Sequence, residues 1–341
     1  MKHNIGLKTV TFGVAAATLL AWQPAISTAQ TIDVKIGYPT TADPQHDLAL
    51  KLVSELKKRS NGRIQGRVFP TSQLGKIPRQ VEGIQLGTQE VFLAPPGFLV
   101  GVNQAFQVTD APALFADAKH GQRTITDPAF RTPFLKLAES KGIVGGNIWI
   151  YDGTSYGSTV AINKLADLRG LKIRVLATPM ERAVPKMFGA AGVPIPFTEV
   201  VPALQRHVVD AARTSLVVMA GAKFHSICKF LTVTNDGYIA AGTWYSKVWL
   251  NKQPADIRKI LLDTAKDLEG FAASNALSFV KVKTQEWRDK GATVTAFSAA
   301  EQKQYMDTIR PLGDKLLGAH KNPQVRKMYG LLKASAQRNA M

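Results

Sequence analysis

From Thr31 onward, short segments with apolar residues at every second position alternate with longer ones in which they recur every three to four. No other feature constrains the fold as much. Strands that regularly alternate with helices lie largely parallel, and the helices must cover both faces of the sheet. The pattern predicts strands over 33–37, 64–69, 90–94, 143–151, 159–162, 171–175, 193–197, 208–212, 230–234, 238–241 and 293–297. It predicts helices over 47–60, 78–86, 130–140, 180–188, 199–207 and 323–336. The first helix carries Leu48, Leu52, Val53 and Leu56 on one stripe and stops at Asn61-Gly62. Two prolines in 193–197 mark an edge strand or a crossover. Residues 254–288 read as one helix striped by Ile257, Leu261, Ala265, Leu268, Ala272 and Ala276. At 1.5 Å per residue it would reach ~45 Å, enough to bridge two lobes. Ser298 and Glu301 form a capping box opening another helix, which Pro311 should bend.

One stretch brings charge to a defined place. In Asp167-Leu168-Arg169-Gly170-Leu171-Lys172-Ile173-Arg174-Val175, a turn leads into a strand with Leu171, Ile173 and Val175 on one face and Lys172 and Arg174 on the other. Thr178-Pro179-Met180-Glu181 follows, with Thr178 as N-cap, Pro179 in the first turn and Glu181 completing a capping box. Arg174 therefore stands at a strand end just before a helix N-terminus, where a guanidinium fork and free backbone N–H groups favour an anion. A surface ion pair is the alternative reading of Arg174.

With 341 residues the chain is long enough for two lobes. It shows no low-complexity linker, so the lobes are expected to exchange strands rather than to be tethered. Its net charge of +18 is spread along the chain, and no zinc-finger or helix-turn-helix pattern accompanies it, which argues against nucleic acid as a partner. Lys2 and Lys8, an apolar run over 10–22 and the small residues Ser27-Thr28-Ala29 read as a secretory signal over 1–29. That run is shorter than the ~20 residues of a spanning helix. A single cysteine, Cys228, excludes an internal disulfide and reads as a small buried apolar residue.

Catalytic signals are sparse. Gly153-Thr154-Ser155-Tyr156-Gly157, read as a loop between two strands, fits G-x-S-x-G, with Asp210 and His225 following in hydrolase order. What comes next, however, is a strand pattern instead of a helix. A secreted serine hydrolase using Ser155 stays the alternative to a binding protein, and the bland reading of the motif is a glycine-permitted crossing between lobes. Six scattered histidines give no metal motif, and no phosphate-binding glycine loop is present, so neither metal nor cofactor is expected. Cations and aromatics (Arg174, Arg213, Trp149, Tyr151, Tyr156, Trp244, Tyr245) outnumber candidate nucleophiles, which favours binding.

Taken together, Val68-Phe69-Pro70-Thr71-Ser72-Gln73-Leu74-Gly75, Asp110-Ala111-Pro112-Ala113-Leu114-Phe115-Ala116-Asp117, Asp167 to Val175, and Ala203-Leu204-Gln205 with Val208-Val209-Asp210 resemble the motifs of the TRAP transporter substrate-binding proteins, the DctP-type periplasmic receptors. The resemblance covers nearly the whole mature chain. It implies an α/β, two-lobed periplasmic binding protein that closes on an organic acid and delivers it to a TRAP-type membrane permease, without catalysis and as a monomer. The family's carboxylate-binding arginine falls on Arg174. Three departures stand out: Gly153-Thr154-Ser155 lies where many members carry a second arginine, Arg213-Thr214 replaces an acid and an amide, and Gln205-Arg206-His207 replaces Gln-x-Gly. Either Arg213 supplies a second cation to the ligand, or the ligand is a monoacid with a more apolar body; a surface ion pair is the remaining reading of Arg213. Phe98, Thr154, Tyr156, Thr214 and Trp244 complete the expected site. The expected division is 30–151 plus about 240–279 as the first lobe, and 152–239 plus about 280–335 as the second.

Overall fold

The computed structural model describes residues 1–3, 6 and 31–340. Apart from residues 1–3 and 6, the secretory segment expected over 1–29 lies outside the described residues. The strands are β1 (Ile32–Gly37), β2 (Ile64–Phe69), β3 (Val91–Ala94), β4 (Ile143–Ser158), β5 (Lys172–Val175), β6 (Ala191–Pro194), β7 (Ala211–Ser215), β8 (Phe230–Ser246) and β9 (Thr293–Ala296). They form one sheet in the order β2-β1-β3-β8-β4-β7-β5-β6, with β9 beside β8. Each end is parallel, β2-β1-β3 on one side and β7-β5-β6 on the other. Between them β4 and β8 run antiparallel to each other and to β3 and β7. The sheet is therefore mixed, not largely parallel. The two-lobed α/β architecture is built by these two long strands, which thread both halves. Proline-containing β6 lies at one edge and β2 at the other.

The helices are α1 (Pro44–Arg59), α2 (Ile77–Leu86), α3 (Ala118–Thr126), α4 (Pro128–Leu135), α5 (Pro179–Lys186), α6 (Phe197–Gln205), α7 (Leu216–Gly221), α8 (Lys247–Leu250), α9 (Ala255–Asp267), α10 (Glu269–Asp289), α11 (Ala299–Ile309), α12 (Pro311–Gly313) and α13 (Pro323–Arg338). Alternate strand residues feed two cores, one on each sheet face. Phe92, Ala94, Ile148 and Ile150 enter one; Val91, Leu93, Trp149 and Tyr151 enter the other. Both cores run beneath both halves of the sheet.

Several expectations are corrected. Residues 153–157 are not a loop: β4 continues through them, irregular where it pairs with β8, while 159–162 leave the sheet. The two strands expected over 230–241 are the single strand β8. A Cβ on Gly153 would lie 2.0 Å from Asn235 Oδ1, and one on Gly157 2.7 Å from Met219 Sδ, so these glycines serve close packing across the strand. The long helix is two helices, α9 and α10, parted at Leu268, where φ −85° and ψ 0° interrupt the helical ladder. α10 still bridges, packing on α1, β4 and α7. α13 packs on α3 and α4, where His120 Nε2 lies 2.9 Å from the Ala336 carbonyl oxygen.

Candidate ligand site

The parallel strands β1, β3, β5 and β6 deliver their following residues to one place: Pro39 and Thr40, Pro95 and Phe98, Leu176, and Phe197. Loops beyond the carboxyl ends of parallel strands are where an open α/β sheet forms its crevice. With Gln45, Tyr151, Arg174, Thr214, Val218 and Ile239 they enclose a cavity of about 40 Å³.

Arg174 is the penultimate residue of β5, opposite Val193 of β6 and Ala212 of β7. Ile173 and Val175 point into one core, so strand alternation turns Arg174 to the other face, as the spacing predicts. Only 1% of the residue is exposed. Its Nε donates to the Ile195 carbonyl at 3.0 Å, and its guanidinium carbon lies 5.9 Å from the Phe197 ring centroid. Among the described residues no carboxylate pairs with it and neither Nη has a hydrogen-bond partner. Burial pulls its pKa down to about 10, with the charge of Glu181 opposing. A buried cation without a counter-charge is costly. With Nε fixed by a backbone carbonyl, the Nη1–Nη2 edge is left to accept a planar anion end-on.

Arg213 contrasts with it at equal burial. Its Nη1 donates to Glu181 Oε2 at 2.7 Å and its Nη2 to Asp236 Oδ2. Thr154 Oγ1 and Thr234 Oγ1 each donate to Asp236 Oδ1 at 2.5 Å. Burial alone would lower the Arg213 pKa; Asp236 and Glu181 outweigh it and hold the value well above normal. Arg213 is therefore neither a surface pair nor a second free cation in the cavity. Glu181, expected in a capping box, accepts from Arg213, while Thr178 Oγ1 alone caps α5 and donates to Asp110 Oδ2 at 2.7 Å. No residue of α5 lines the cavity, so the helix N-terminus faces the protein's own carboxylate, Asp110. Burial and the neighbouring charge of Glu181 push the Asp110 pKa up to about 8, against the Thr178 hydrogen bond and Arg213.

The structure thus brings Arg174, Thr214 and Phe98 together and keeps four expected residues elsewhere. Arg213 and Thr154 belong to the ion-pair network. Tyr156 Oη lies 2.7 Å from Tyr305 Oη in the opposite core. Trp244 Nε1 donates to the Ala94 carbonyl at 3.0 Å, and its ring stands edge-on to Phe106. Alternation along β4 and β8 directs Tyr156 and Trp244 away from the cavity. Thr40, Gln45 and Phe197 were missed, and Tyr151 was noted only as an aromatic. Their signal is position: Thr40 and Phe197 each come three residues after a strand end. Tyr151 Oη donates to Asp43 Oδ2 at 2.5 Å, and Gln45 Nε2 donates to Thr40 Oγ1 at 3.1 Å.

Ser155 lies within β4, fully buried between Thr214 of β7 and Val233 of β8, and its Oγ has no partner. Asp210 Oδ2 accepts from the Lys172 N–H, and His225 Nε2 is 3.4 Å from Glu286 Oε1. Among the described residues Ser155 has no strand–turn–helix elbow and no triad with Asp210 and His225, so the hydrolase reading fails.

The model of the bacterial extracellular solute-binding proteins, family 7, matches residues 37–318. The 2,3-diketo-L-gulonate-binding periplasmic protein YiaO of Escherichia coli K12 is 29% identical over 267 residues, 78% of this chain and 80% of its own length. The C4-dicarboxylate-binding periplasmic protein DctP of Rhodobacter capsulatus is 28% identical over 309 residues, 89% of this chain and 91% of its own. In fold, the crystal structure of a TRAP periplasmic solute binding protein from Desulfovibrio salexigens with bound orotic acid superposes with a TM-score of 0.85 at 24% identity, covering 90% of this chain and 99% of that one.

Proposed function

Because the chain belongs to the bacterial extracellular solute-binding proteins of family 7, receptors and not enzymes, we propose that it captures an organic acid in the periplasm and hands it to a TRAP-type membrane permease. The observation that carries this is the Nη1–Nη2 edge of Arg174, buried, unpaired and facing a cavity at the carboxyl ends of four strands. A carboxylate is the planar anion that fits such a fork with two parallel hydrogen bonds. The acids in the names of the relatives and of the solved neighbour share that group.

Residues 1–29 act as the cleaved export signal, and one chain makes one site. The first lobe comprises 30–151, about 240–279 and α13; the second comprises 152–239 and about 280–318. Phe98 and Thr40 close on Arg174 and Thr214 from the facing lobe, a hinge closure in which β4, β8 and α10 are the continuous elements. The test is a thermal-shift screen of mono- and dicarboxylates and sugar acids followed by calorimetry. At least one acid should bind, and Arg174→Ala should abolish it. Binding left unchanged in that variant would refute the assignment.

A further inference from the structure

Resting on Arg174 as the carboxylate anchor, we infer that the ligand is a monocarboxylate with a small apolar body and at most one further polar oxygen. Charge is the first argument. Arg174 is the one charged side chain among the residues that line the cavity. Arg213 does not line the cavity, and both its Nη atoms are held by Glu181 and Asp236, with Thr154 and Thr234 on Asp236, which leaves only its Nε without an acceptor and no fork for a second carboxylate. Nor is the opposite wall cationic. Behind Tyr151 stands the fully buried carboxyl of Asp43, which accepts from Tyr151 Oη and caps α1 through the His46 N–H. A second ligand carboxylate would thus lie in a low-dielectric space with no cation to meet it.

Hydrogen-bonding capacity is the second argument. Tyr151 points its hydroxyl hydrogen at Asp43, so it presents only a lone pair to the cavity. Gln45 has used one N–H on Thr40. What remains is the Thr214 hydroxyl and the rest of the Gln45 amide, because the Thr40 hydroxyl is itself bonded to the Asp43 carboxyl. That suffices for one keto or hydroxyl oxygen beside the carboxylate, not for the four or more hydroxyls of a sugar acid, each of which must be satisfied once buried. The remaining wall is apolar: Phe98, Leu176, Phe197, Val218 and Ile239. Size agrees with this. The enclosed space is about 40 Å³, well below the ~150 Å³ of a cavity that takes benzene. Even a branched body of three or four carbons must therefore enter as the lobes open, and a sugar acid would need more room still.

The experiment is titration calorimetry on the mature protein with 3-methylbutanoate, its 2-oxo analogue, succinate and galacturonate, repeated on Arg174→Ala. The expected result is that one of the branched monoacids binds at least thirtyfold tighter than succinate and galacturonate, and that Arg174→Ala loses it. If succinate or galacturonate binds as tightly or tighter and Arg174→Ala abolishes that binding, the apolar-monoacid inference is overturned while the carboxylate receptor stands. If none of the four acids binds, the apolar-monoacid inference falls; if binding survives Arg174→Ala, both readings fall.

Discussion

Arg174 and Arg213 are equally buried arginines 39 residues apart in sequence, yet their removal should have opposite consequences. In Arg174→Met the variant loses a cation whose pKa has fallen to about 10 through desolvation. At about 1.4 kcal/mol per pKa unit, that fall represents roughly 3 kcal/mol of uncompensated cost in the unliganded fold. Methionine removes the cost but leaves the Ile195 carbonyl without its donor, a loss of about 1–3 kcal/mol. The two nearly cancel, so Arg174→Met should unfold within about 2 kcal/mol of the native protein, with stabilisation the favoured direction. In Arg213→Met, by contrast, Glu181 and Asp236 remain buried without their cation, which should cost about 3–5 kcal/mol. Urea unfolding of both variants at pH 7 without ligand gives these values. Calorimetry then adds the second half: Arg174→Met should lose about 2–5 kcal/mol of acid binding, at least thirtyfold in Kd. A loss of 3 kcal/mol or more for Arg174→Met without ligand would refute the reasoning, because it would mean that the guanidinium has a structural counter-charge.

Asp110 adds a pH dependence. Its folded-state pKa of about 8 lies above that of an unfolded aspartate, so between about pH 4 and 8 the folded state holds more protons and stability falls as pH rises, by up to about 1.4 kcal/mol per unit. Asp152, raised to about 6 mainly by burial, contributes with the same sign below pH 6. Asp110→Asn should therefore flatten the denaturation profile and raise Tm more at pH 8 than at pH 5; a profile parallel to the native one would count against the assignment. Phe197→Ala removes the ring beside the Arg174 guanidinium and part of the apolar wall, and should weaken acid binding about tenfold by calorimetry. Ser155→Ala deletes a buried hydroxyl with no partner and should change unfolding free energy by less than about 1 kcal/mol, leaving acid affinity intact. A fluorophosphonate probe should not label Ser155.

Much of this protein is local and so was legible in sequence. Periodicity placed α1, α2, β5 and α13 within a few residues, because each element buries one stripe or one face that its own spacing reveals. Strand alternation likewise assigned Arg174 to the face opposite Ile173 and Val175 before any neighbour was known. Non-local pairing decided the rest. Ser155 and its glycines looked like a loop because no short-range signal shows that β7 and β8 flank them on both sides and hold the strand extended. Leu268 looked like one more rung of an apolar stripe, and the break there leaves no mark in the spacing. Whether an arginine is free or paired is likewise a property of what comes near it. Glu181 and Asp236 lie 32 and 23 residues from Arg213, on opposite sides of it in sequence, and only the folded chain brings both within hydrogen-bond reach of one guanidinium while leaving the other without a carboxylate. Strand periodicity alone puts a cation at the end of β5; which cation stays available depends on the fold, because long-range ion pairing in a buried space follows three-dimensional proximity.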